Sequence, residues 1–413
     1  MNARMLHLLL RCILLLWFTQ PAFGQQWTRF RGPNGSGISD ATTIPAKWTT
    51  KDYNWRVKLP GIGHSSPVIW GNQIFVTCAI EEDATRIIRC LNTSDGGLIW
   101  KRSFPSVTYQ KNSLTSYASA SPTVDEDHVY ITWTTPEEYI VLALDREKGR
   151  EVWRRDLGPF VAQHGYGASP ILFEGMVIVT NDQDEKSFAT ALDRMTGQTR
   201  WKAERRTVKA AYSTPCIYQP QDGPPELVLT SWAHGVNSLD PRTGKANWEV
   251  AVLNHRVVCS PMIASGLIFT SCGSGGGGKQ MVAVRPANPG QGIAAAVAYE
   301  IEGSLPYVPT SVCYGPLLFL WSDSGVVACL DAPTGKLHWR ERVGGKFFGS
   351  PVRVGDRIYC MSRDGEMVVL AAADQFKLLS RVDLEEPTNA TPAISDGVMY
   401  LRTASHLMSL GGK

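Results

Sequence analysis

Very little in this 413-residue chain reads as helix: no long stretch carries a 3.6-residue apolar period, so helix content is expected to be small. Beyond the first two dozen residues no apolar run approaches the ~20 residues that span a bilayer. No Cys-x-x-Cys pair or His/Cys cluster has zinc-ligand spacing, and no two cysteines are adjacent. Charge excess is also missing. Taking Arg4 and Arg11 of the N-terminal segment from 41 Lys and Arg leaves 39, against 38 Asp and Glu. Such a balance leaves no electrostatic footprint for nucleic acid or an anionic membrane, and both are excluded as partners.

The N-terminal segment itself reads as a cleavable signal peptide over residues 1–24. Arg4 and Arg11 supply its charge, Cys12 to Phe18 its apolar core, and Ala22-Phe23-Gly24 a small-x-small cleavage site. Cys12 follows Arg11 inside the apolar run, so it makes no lipoprotein box. The product is expected to be exported, periplasmic or extracellular, and to begin at Gln25.

What the chain does have is glycine (38), proline (25) and tryptophan (13), which suit many short strands and turns. A ten-residue unit recurs: Leu91 to Trp100, Leu144 to Trp153, Leu192 to Trp201, Leu239 to Trp248 and Leu330 to Trp339. A glycine follows each leucine by five positions (Gly96, Gly149, Gly197, Gly244, Gly335). The unit reads as a hairpin: aspartates such as Asp193 accept amides within the turn, the glycine supplies φ > 0, and the tryptophan sits on the second strand as repeated core packing. Upstream of each hairpin stands Ser66-Pro67, Ser121-Pro122, Ser169-Pro170, Thr214-Pro215, Ser260-Pro261, Ser350-Pro351 or Thr391-Pro392, with proline opening a strand at no cost in ladder bonds. Each module therefore holds four short antiparallel strands.

Allowing for decay, there are eight modules. One opens at Val308-Pro309-Thr310-Ser311, Leu379 stands where a tryptophan is expected after Leu370, and Val284 and Tyr299 are the pair stretched by an insertion. The last module stops short of a fourth strand, and Asn54 to Lys58 has the character of the strand it lacks. Pairing the two ends closes a ring and hides two sheet edges. The reading is an all-β, eight-bladed propeller over 54–413, preceded by an extension (25–53) whose Trp27 to Gly37 segment pins the leader against the propeller's side or across one face. A monomer is expected.

Export permits disulfides. Cys259 and Cys272 fall symmetrically about one turn and Cys78 and Cys90 about another, so each pair is a candidate bridge. The alternative is that Cys90, in a slot filled elsewhere by alanine, is simply small and buried.

The Leu-Asp-x-x-Thr-Gly-x-x-x-Trp unit resembles the pyrroloquinoline quinone (PQQ)-like propeller repeat. The resemblance covers Asn54 to Leu410. That family includes quinoprotein alcohol dehydrogenases, with PQQ and calcium at the mouth of the ring, and the cofactor-free lipoprotein BamB. In such a ring the loops from fourth to first strand share one face with those from second to third. The candidate binding residues just before each Ser/Thr-Pro are then His64, Tyr117, His164 with Tyr166, Tyr212, His255 with Arg256, Tyr307, Phe347 with Phe348, and Asn389. Aromatics and arginine give rigid, amphipathic contact area. The loop Gly273 to Gln280 nearly matches a phosphate loop, but Gln280 replaces the magnesium ligand and a strand follows, so a lid or mobile loop is expected. The resembled dehydrogenases carry a vicinal disulfide that is missing here. Asn181, Asp182 and Asp184 offer oxygens of the kind calcium prefers. The favoured function is a non-catalytic platform for a protein or cell-envelope ligand, with no cofactor. The alternative is a PQQ- or metal-dependent oxidoreductase of alcohols or sugars.

Overall fold

The computed structural model describes residues 26–275 and 277–412, which form eight sheets of antiparallel four-stranded blades in a propeller ring. The expected signal segment lies outside the described residues. Blades 1 to 7 are successive stretches of chain: 68–104, 123–156, 171–205, 216–250, 262–301, 312–342 and 352–383. Blade 8 takes three strands from 393–411 and its outermost strand from Tyr53–Lys58, paired with His406–Gly411. The ring is therefore closed by its own ends, as the truncated last module required. Among the described residues no helix is long and apolar enough to cross a membrane.

The ten-residue repeat builds the joint between blades. In blade 3 the Asp193 carboxylate accepts the amides of Met195 and Thr196 at 3.0 and 2.8 Å, and Gly197 adopts φ 68°. Trp153 of the preceding blade lies flat on that glycine: a Cβ there would come within 2.6 Å of the indole. The indole N–H donates to the Arg194 carbonyl of the same turn at 2.9 Å. Trp55, Trp100 and Trp201 repeat the contact on Gly96, Gly149 and Gly244, and Tyr299 repeats it on Gly335. Glycine is thus required by the turn and by the neighbour, and the tryptophans are wedges between blades.

Blade 7 differs from the sequence reading. Its turn is one residue longer, since Leu370 pairs with Leu378 where Leu91 pairs with Leu98, so Ser380 and not Leu379 occupies the tryptophan position. The extension fills the gap. Ser380 donates its hydroxyl to the Ala46 carbonyl, and Ile44 and Trp48 are buried in the same core cluster.

Neither expected disulfide is formed, and all eight cysteines of the described residues are free thiols. Cys78 stands opposite Ile87 and Cys90 opposite Phe75, three positions out of register with each other. The Cys259 sulfur instead accepts the Ser271 amide at 3.1 Å.

The extension corrects a second expectation, for it runs along the inside of the ring and not over its outside. Innermost strands present a free backbone edge to the channel, and residues 27–39 pair with these edges. The Trp27 carbonyl accepts from Ile69 of blade 1 and the Thr28 carbonyl from Val124 of blade 2, both at 2.9 Å. Asn34 exchanges two hydrogen bonds with Ile217 of blade 4, and Ile38–Ser39 adds a parallel strand to Val352–Val354 of blade 7. Arg31, fully buried, donates to five backbone carbonyls, those of Gly35, Ser36, Thr310, Ser311 and Pro351. Among the described residues it has no carboxylate partner, and burial pushes its pKa down to about 10.

Candidate functional site

The Ser/Thr-Pro markers meet at the axis. The amide of each marker hydroxyl residue donates to the side-chain oxygen of the next blade's: Ser66 to Ser121, then to Ser169, Thr214, Ser260, Thr310, Ser350 and Thr391, and from Thr391 back to Ser66. These eight bonds, each between 2.9 and 3.1 Å, form an unbroken circle. Blade 6 lost the Ser/Pro order but not the hydroxyl, since Thr310 takes the ring position. The hydroxyls therefore serve as acceptors, and among the described residues none of the eight has an acceptor for its own proton.

Above this circle opens a cavity of about 390 Å³, with Phe30 of the extension among the lining residues together with every ring hydroxyl except that of Ser121. Of the rim residues read from the sequence, His64, His164, Tyr166, Tyr212, Tyr307, Phe348 and Asn389 line it. Three do not. Tyr117 is buried beneath its loop, donating to the Tyr109 carbonyl at 3.0 Å with Arg86 and Lys111 over its ring. His255 stacks on Trp232, with centroids 5.6 Å apart, and Arg256 donates to the Gln163 side chain at 3.0 Å. Phe347 is core, edge-on to Trp321. Sequence reasoning missed Phe30, Asn112, Leu114 and Val258, whereas Gly275 belongs to the glycine-rich loop expected as a lid or mobile loop. Asn112 and Leu114 come from the long loop between blades 1 and 2, and nothing in the local pattern marks them.

The chemistry of the wall is neutral and donor-rich. Burial, then Arg402, Lys111 and Arg363, push the His64 pKa down to about 4. Burial and then Arg256 lower that of His164. Tyr166 spends its hydroxyl on Tyr139 at 2.6 Å, whereas the buried Tyr212 hydroxyl, beside the His164 backbone amide, has no acceptor for its proton among the described residues. Among the described residues no carboxylate lines the cavity. Asp182 is held by the buried Arg205 guanidinium at 2.6 Å, Asp184 accepts the Ala210 amide at 2.8 Å, and Asn181 accepts from Gln183 at 3.1 Å. Lys279 of the glycine-rich loop is tied to Asp323 at 2.8 Å. A group of Asp125, Asp127 and His128 lies at the opposite end of blade 2, where Arg194 bonds to Asp125 at 2.8 Å and Asp127 at 3.1 Å. Calcium takes about six to eight oxygens, carboxylates prominent among them. A cavity lined by no acid does not fit a calcium-held quinone.

The sequence profile of the family described as outer membrane protein assembly factor BamB matches residues 84–310 and 308–406. No curated protein matches by sequence. Among solved structures, BamB from Moraxella catarrhalis is 16% identical, covers 89% of this chain and 96% of its own, and superposes with a TM-score of 0.63. The quinohemoprotein alcohol dehydrogenase of Pseudomonas putida HK5 is 13% identical over 94% of this chain and 81% of its own, at TM-score 0.66. A europium-containing methanol dehydrogenase is 12% identical over 93% and 98%, at 0.65. At such identities the likeness is one of fold.

Proposed function

The chain belongs to this family of PQQ-repeat propellers, and we propose that it is an exported, non-catalytic binding platform whose channel mouth receives a protein or cell-envelope ligand. The observation that carries the reading is the cavity wall: aromatic, hydroxyl, amide and imidazole groups around a single mouth, with no carboxylate among the described lining residues to hold calcium. The extension supports it, since a channel filled by residues 27–39 offers a cup and not a pore. BamB, named as an assembly factor, illustrates a propeller of this kind acting through partners. An oxidoreductase built on PQQ and calcium would need the acidic ligands that Asp182 and Asp184 do not supply from their present bonds.

Two measurements test this. Titration of the exported form with PQQ is expected to give no calcium-dependent quinone absorbance and no dye-linked alcohol oxidation. Capture from the native envelope fraction with the wild type and with a His164→Ala, Tyr307→Ala double variant is expected to differ. Identical captured sets would remove the mouth from the function.

A further inference from the structure

We infer that the cup is an anion site, taking a small organic acid with an apolar body and no metal. The inference rests on the binding-platform reading and names the chemistry that enters the mouth. Three independent features lead to it.

The first is the hydroxyl circle. Seven of its members line the cavity, and each has used its oxygen to accept a backbone amide. What is left to each is an O–H that no described protein atom accepts. A ring of donors without acceptors calls for an acceptor-rich guest. The second is Tyr212, whose buried hydroxyl lines the same cavity with the His164 backbone amide beside its oxygen and, among the described residues, no acceptor for its proton. Neutral imidazoles at His64 and His164 can each add a donor of their own.

The third is the distribution of charge. Arg29 and Arg31 lie fully buried in the channel, Arg402 donates to Ser65 beside His64, Arg363 stands 4.6 Å over the Phe348 ring, and Arg256 bonds to Gln163 and Tyr307. Among the described residues none of these five has an acidic partner. Two acids stand behind the wall, Asp184 near His164 and Tyr212 and Asp323 accepting the Tyr307 and Val308 amides, and Asp323 is already paired with Lys279, so five unneutralised guanidinium groups leave the balance at the cavity positive, which low surrounding dielectric strengthens. The remaining wall, Phe30, Leu114, Val258 and Phe348, is apolar and rigid, and fits an aromatic or aliphatic body.

The probe is 8-anilinonaphthalene-1-sulfonate, with N-phenyl-1-naphthylamine as the same skeleton without the charge. Fluorescence titration of the whole exported chain is expected to show one saturable site for the sulfonate, about tenfold tighter than for the neutral amine, weakening as salt rises. Tyr212→Phe and Arg256→Gln are each expected to weaken the sulfonate by about three- to tenfold and leave the amine unchanged. Circular dichroism melting confirms that the variants fold. Equal affinity for both probes, no saturable site, or sulfonate binding indifferent to both variants each overturns the anion site. The outcome is separable from the platform reading: sulfonate binding with unchanged envelope capture would sink the platform alone, and the reverse pattern would sink the anion site alone.

Discussion

At the scale of single residues, the rim was legible because position in a propeller follows from position in the repeat. Residues just before a Ser/Thr-Pro must emerge near the mouth, and His64, His164, Tyr212, Tyr307, Phe348 and Asn389 do. Direction was not legible. Tyr117 turns down because a long loop offers it the Tyr109 carbonyl, and Tyr166 turns its hydroxyl to Tyr139, contacts set by tertiary packing. His64 gives a test at this scale. Its pKa of about 4 lies below the ordinary 6.5, so between these values the unfolded chain takes a proton that the folded chain refuses. Stability should therefore be flat above pH 6.5 and fall as pH drops toward 4, by up to about 3 kcal/mol from this group, less where water reaches the ring. Urea unfolding at pH 7 and pH 5 should show a smaller difference in His64→Gln than in the wild type. An imidazole signal of His64 titrating near 6.5 would contradict the assignment.

Among elements, the repeat was read correctly as strands and turns, but two of its marks carried more meaning than periodicity reveals. Gly149 and its equivalents looked like turn residues, and they are also the seat for the preceding blade's tryptophan. The serines and threonines looked like strand openers, and they are the links of a circle whose partners lie dozens of residues apart. Blade 7 escaped the reading for a related reason: one extra turn residue moves Ser380 into register, and the compensating cover comes from Ile44 and Trp48, hundreds of residues away. The circle predicts a sharp asymmetry between substitutions. Ser260→Ala leaves the buried Thr214 amide without its acceptor at 3.0 Å and should cost about 1–3 kcal/mol, whereas Ser260→Thr keeps the oxygen and should cost clearly less. Unfolding midpoints in urea that coincide for the two variants would show that the circle is incidental.

For the whole molecule, ring closure could be inferred from a missing strand at one end and an unclaimed strand at the other, because an open blade would expose edges. The channel plug could not. Nothing in Trp27 to Gly37 says that its backbone and the Asn34 side chain will satisfy the free inner edges of blades 1, 2, 4 and 7, since the pairing is with strands as far away as Arg353 from Ile38 and too brief to leave an alternating pattern. The ring is held by two systems, the hydroxyl circle with its inter-blade wedges and the plug with its bonds across the channel, and among the described residues a plug side chain bonds to a circle residue only where Arg31 donates to the Thr310 carbonyl. Deleting residues 26–39 should therefore separate them. The amides of Ile69, Val124, Ile217 and Arg353, which donate to Trp27, Thr28, Asn34 and Gly37, should exchange at least about tenfold faster with deuterium in the shortened chain. Those of Ser66, Thr214 and Ser350, whose acceptors lie within the circle, should keep their protection. The balance favours a folded product, since the deletion also removes two buried cations with no acidic partner, Arg29 and Arg31, whose desolvation the ring now bears. Loss of protection at both sets together would mean that the blades cannot hold their circle without the plug, and the two systems would then have to be treated as one cooperative unit.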